Sequence, residues 1–259
     1  MNVVVLQGVA TPKQNVLCTH KGARGMNPDE ASARVRIERF HYSVRLGSLF
    51  FPIAVDELAA IADKLGYQSL REVRERMPDV PHGMRLSMTG PVAIKPSDKR
   101  SLRVDMERGV IAIQGVDIEG VIEDFEGLEK GIKDELHVDL ATEARFYEFI
   151  LDAEALVENG RDPVKETASF YSDSKLLARL SPIMGEQIAN FGIRLTKKDQ
   201  YPNSDELLDL RIEPSVSKPK TRYSIAMVFR QTTKSEVIEQ AKSIEGKIQQ
   251  ILGVLKEVV

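Results

Sequence analysis

The chain has 259 residues, is 42% hydrophobic and 29% charged, and carries a formal charge of −3 with an isoelectric point near 5.9. That balance excludes a globally basic nucleic-acid or membrane binder, so any such binding must be local. A single cysteine, Cys18, excludes an intramolecular disulfide and fits a reducing compartment.

Residues 1–34 differ from the rest. The run NVVVLQG is short and has no basic region before it, which makes a poor signal peptide. The stretch THKGARGMNPDEASA is polar and rich in small residues, so an N-terminal arm is expected. No window approaches the ~20 apolar residues of a bilayer span, and the expected location is the cytoplasm without membrane contact.

From Val35 the pattern sharpens. Phe40, Tyr42, Val44 and Leu46 alternate with His41, Ser43 and Arg45, the period of a half-buried strand. AVDELAAIADKLGY predicts a helix with Leu58, Ile61, Ala62 and Leu65 on one face, stopped by Gly66. SLREVRERM predicts a short helix capped by Ser69. Strands follow in GMRLSMTG, VAIKP, SLRVDMER and VIAIQG, with a tight turn at Gly109 and with Leu102, Val104 and Met106 as the apolar set of the third. Ile118, Val121, Ile122, Phe125, Leu128 and Ile132 then recur at helical spacing behind Asp117, a cap residue.

A similar order recurs downstream. ARFYEFILDAEAL is strand-like, with Tyr147, Phe149 and Leu151 on one side. Residues 162–191 are helical in two or three pieces, with Pro163 in a first turn and Pro182 as a breaker. GIRLTKK, LLDLRIEP and RYSIAMVFRQ are strands. A long final helix places Val237, Ala241, Ile244, Ile248, Ile251 and Leu255 on one stripe. The chain therefore divides into two units, 35–140 and 143–259, each an antiparallel sheet with helices on one face. The fold class is α+β, and the two sheets either join into one curved sheet or stay separate.

This β-α-β-β-β(-β)-α order, twice in one chain, resembles the TATA-box-binding protein fold over most of 35–259. The resemblance implies one curved sheet with helices on its back. DNA-binding members of that family insert paired phenylalanines into the minor groove. Here the only adjacent pair is Phe50-Phe51, ahead of Pro52, and no family residue carries over. Paired ferredoxin-like domains are the alternative architecture.

Few residues assemble into chemistry. Cys18 and His20 lack further zinc ligands, and His41, His82 and His137 are scattered. KGARG lacks the Gly-Lys-Ser/Thr of a phosphate loop. No cofactor or metal is expected and no catalytic motif is present, which leans away from an enzyme. Residues 116–143 hold ten carboxylates against Lys130 and Lys133, read as the solvated side of a helix or as a docking face. Arg39, Arg45, Arg85 and Arg103 all fall on the polar phase of their strands, so one open sheet face could hold phosphates. The alternative is an ordinary charged surface that resists aggregation. The basic tip Lys218, Lys220 and Arg222 is bracketed by Pro214 and Pro219 and reads as a solubilising turn.

These features point to a non-catalytic binding or assembly module that contacts a macromolecule, nucleic acid among the candidates, through the open face. Self-association through the final helix is a second route. An enzyme site between the units would draw on His41, Glu148, Tyr147 or Asp152. A small-molecule sensor would use Met84, Met88, Met106 and Met227.

Overall fold

The computed structural model describes residues 33–47, 53–70, 89–157, 160–170 and 174–257. In chain order come β1 (Ala33–Leu46), α1 (Val55–Lys64), β2 (Gln68–Ser69), β3 (Thr89–Lys95), β4 (Arg100–Asp105), β5 (Val110–Gly115) and α2 (Ile118–Leu136). After the one-turn α3 (Leu140–Glu143) come β6 (Ala144–Val157), α4 (Pro163–Ser169), α5 (Lys175–Met184), β7 (Ile193–Thr196), β8 (Leu207–Pro214) and β9 (Arg222–Gln231). The chain then closes with α6 (Lys234–Lys242) and α7 (Ile244–Glu257).

The nine described strands form one antiparallel sheet in the order β2-β3-β4-β5-β1-β6-β9-β8-β7. The two longest strands, β1 and β6, pair at its centre. The fold is α+β, and the sheet is continuous. β1 keeps its apolar side inward through a change of phase. Ala33, Val35 and Ile37 face the helices, then Phe40, Tyr42, Val44 and Leu46 do so, because the register shifts between Ile37 and Arg39. One extra residue there moves the alternation by one position.

Helices α1, α2, α6 and α7 bury their apolar stripes against that side, in one core. Phe40 and Phe149 meet across the central strands at 5.6 Å, Phe149 stacks on Phe229 at 5.6 Å, and Tyr42 meets Phe125 of α2 edge-on at 4.8 Å. Each such buried side chain contributes ~1.5–3 kcal/mol. Local chemistry sets the helix starts. The Asp117 carboxylate accepts from the Gly120 N–H at 3.2 Å, and Asp162 accepts from the Val164 N–H at 3.1 Å ahead of Pro163. Gly131 lets α1 approach α2, since a Cβ there would lie 2.5 Å from Ile61 Cγ2.

Several sequence expectations change. Ser69 lies in β2 opposite Ala93. The helix expected beyond it, and Met84, Arg85, Met88, Phe50 and Phe51, lie outside the described residues. β4 ends at Asp105, so Met106 sits in the turn and is 41% exposed. Pro182 stays inside α5, which ends at a left-handed Gly185. The final helix breaks at Ser243, whose hydroxyl donates back to the Glu239 and Gln240 carbonyls, a bond that competes with regular helix. The break turns the stripe, so that Leu252, rather than Ile251, joins Ile244 and Ile248 in the core. That stripe is spent on the chain's own sheet.

Candidate functional site

The opposite face of the sheet presents the other phase of each strand. β1 contributes Arg36, Arg39, His41, Ser43 and Arg45; β6 contributes Phe146, Glu148, Ile150, Asp152 and Glu154; β9 contributes Ser224, Arg230 and the start residue Arg222. Strand pairing lines these up in rows. Arg103 of β4 lies opposite Ala112, which lies opposite Ser43, then Glu148, then Arg230. A residue's row is therefore set by register, and its neighbours come from strands far away in sequence.

Around β6 the charges are matched. Asp152 pairs with Arg39 at 2.5 Å, and Glu154 accepts from Arg222 at 2.6 Å and from Ser215 at 3.0 Å. Those bonds, Arg222 first, hold the Glu154 carboxyl below its usual range. Glu148 takes a two-pronged bond from Arg230 at 2.6 and 2.8 Å, and Arg230 also lies 4.3 Å over the Phe146 ring. Farther out, Arg194 forks onto Asp209 with two bonds of 2.8 Å.

Around β1 and β4 the match is incomplete. Arg45 lies 5.8 Å over the Phe146 ring, and among the described residues it has no carboxylate partner. Arg103 has no hydrogen-bond or ion-pair partner among the described residues. Of the four arginines marked by the sequence, Arg39, Arg45 and Arg103 stand on this face; Arg85 lies outside the described residues. Between β4, β5, β1 and β6 the face forms a concavity of about 230 Å³, with His41, Ser43, Arg103, Asp105, Arg108 and Glu148 as its polar lining. Burial, then the charges of Arg103 and Arg39, lower the His41 pKa to about 4, so the ring is neutral near pH 7. Ser43 is buried and donates to the Glu148 carbonyl at 3.3 Å.

Of the residues considered for an enzyme site, His41 and Glu148 share this concavity, whereas Tyr147 points to the helix side. There its hydroxyl donates to Glu129 at 3.4 Å, and Lys234 at the start of α6 bonds the same carboxylate. Met227 is packed in the core.

Two polar clusters beneath the sheet escaped the sequence reading. Asp124 of α2 accepts from Tyr67 at 2.7 Å, Arg100 at 2.9 Å and Lys95 at 3.2 Å, and Arg100 reaches on to Asp117 at 2.8 Å. Gly120 makes room for that guanidinium, because a Cβ would overlap it. Glu166 of α4 is buried and accepts from Arg161 at 2.6 and 2.8 Å and from Tyr223 at 2.7 Å. Burial pushes the Glu166 pKa up, but the Arg161 and Tyr223 bonds outweigh it and the net direction is down. Asp124 was therefore misplaced on a solvated helix side. Its spacing, three after Val121 and four before Leu128, was the available signal. Glu166 had no comparable signal.

No helix among the described residues is long and apolar enough to cross a membrane. No protein-family model and no curated protein matches the chain. It is similar to a solved structure described as Methanococcus jannaschii TBP, with 12% identity over 86% of this chain and 98% of that one, and a TM-score of 0.34. A likeness this distant says nothing of what the chain binds.

Proposed function

We propose that this chain is a non-catalytic binding module that holds an anionic macromolecule, a nucleic-acid strand, against the face of its sheet opposite the helices. The observation that carries this reading is the imbalance on that face. Its cations are arginines, and Arg45 and Arg103 stand over β1 and β4 without carboxylate partners among the described residues. A guanidinium grips phosphate with two parallel bonds, and contacts of this kind bind the backbone without reading sequence. Arg39 is already held by Asp152 and contributes less.

The test is fluorescence anisotropy with single- and double-stranded DNA and RNA at low and moderate salt. Three phosphate contacts predict a log–log salt slope of about −2 on a single strand. The double variant Arg45→Gln/Arg103→Gln is expected to weaken binding and flatten that slope by roughly one to two. Absence of binding to every oligonucleotide at low salt would sink the nucleic-acid reading.

A further inference from the structure

The concavity on the open face has an unusual charge arrangement. Both of its carboxylates are occupied: Glu148 is forked by Arg230, and Asp105 accepts the Arg108 backbone N–H at 3.0 Å with Arg108 Nε 3.8 Å away. Arg103 has neither carboxylate nor hydrogen-bond partner among the described residues, and its charge falls on the half-buried ring of His41. A neutral imidazole offers one N–H and one acceptor, while a protonated one offers two donors. Burial is the larger cause of the lowered His41 pKa and the Arg103 charge the second; an oxyanion seated between them would offset the Arg103 charge and so favour the protonated ring.

We propose that this concavity binds an oxyanion of the phosphate or sulfate type, with Arg103 and His41 as its donors and with His41 taking a proton from solvent as the anion arrives. This rests on reading the open face as an anion-binding surface. The charged groups around His41 are Arg39 and Arg45 on its own strand, Arg103 and Asp105 on β4, Arg108 in the following turn, Glu148 and Asp152 on β6, and Arg230 on β9. β5 adds only the neutral Gln114 opposite His41. Glu148 and Asp152 each hold an arginine.

The experiment follows the His41 ring signals by NMR across pH, in the full chain, with and without sulfate, an anion that does not titrate there. Without sulfate the midpoint is expected at about 4. With sulfate it moves up, and sulfate binds up to about tenfold tighter for each pH unit of acidification between the two midpoints. Arg103→Gln is expected to abolish the sulfate-induced movement. Arg103→Lys, which keeps the charge, is expected to weaken sulfate binding by about tenfold because the two-pronged grip is lost. A His41 midpoint unmoved by sulfate, or moved equally in the Arg103→Gln variant, overturns the site, as does unchanged affinity in Arg103→Lys. Inorganic phosphate and an oligonucleotide are run with the same readout. An oligonucleotide that binds without moving His41 overturns this site alone. Sulfate that moves His41 while no oligonucleotide binds supports this site and overturns the nucleic-acid reading alone.

Discussion

The two polar clusters beneath the sheet use the same three chemical parts in different proportions. Near α2, one carboxylate, Asp124, holds a tyrosine hydroxyl and two cations, and Arg100 passes on to the helix cap Asp117. Near α4, one carboxylate, Glu166, holds one tyrosine hydroxyl and one cation, and Arg161 also bonds the Leu252 carbonyl of α7. Depth differs with proportion. Arg161 and Glu166 are 7% and 8% exposed at their side chains, against 12% for Arg100 and Asp124 and 20% for Lys95. Lys95 also pairs with Asp98 at 3.2 Å and Arg100 with Asp117, so the shallower cluster sets two cations among three carboxylates where water can still reach them. In the deeper cluster Arg161 and Glu166 pair directly, because an unmatched charge there costs several kcal/mol.

The largest test of that contrast is Arg161→Met. It leaves Glu166 buried without its cation and is expected to cost ~3–5 kcal/mol in urea denaturation. Next is the pH dependence of stability. His41 has a folded pKa of about 4, below its unfolded value, so the unfolded chain takes the proton first. Acidification therefore destabilises the fold by ~2–3 kcal/mol across the span between an ordinary histidine pKa and about 4. His41→Asn should erase that step. The Glu166 and Glu154 carboxyls are also lowered; their contribution is present above the ordinary carboxylate range and lost only on further acidification. Two acid steps, the first belonging to β1 alone, are the expected denaturation profile.

Arg100→Met is expected to cost ~1–2 kcal/mol, because Lys95 and Tyr67 still satisfy Asp124. A loss equal to that of Arg161→Met breaks the comparison. Tyr42→Phe carries the opposite sign. The Tyr42 hydroxyl is buried with no hydrogen-bond partner among the described residues, and removing it is expected to raise stability by up to ~1 kcal/mol. Smallest is Arg194→Ala, an exposed ion pair at the sheet edge, where thermal denaturation should show no measurable change.

The open face shows how far sequence reading reaches. Arg39, Arg45 and Arg103 were placed on the polar phase correctly, since alternation is a property of one strand. Their different fates follow from register. Arg39 meets Asp152 while Arg103 meets Ala112 and Pro91, and no local pattern separates them. The same limit hid Asp124 and Glu166, whose partners Tyr67 and Tyr223 are each 57 residues away.

The sequence by itself determined the phases of β1 from Phe40 onward and of β6 and β9, the cap at Asp117, the turn at Gly109 and the α+β class. These depend on side chains within a few residues of one another. Only the tertiary structure decided that β1 and β6 join two sets of strands into one sheet, that β1 shifts phase after Ile37, and that Arg103 is left beside His41 with no carboxylate partner among the described residues. Those outcomes depend on long-range pairing, where a register step of one residue exchanges every facing side chain.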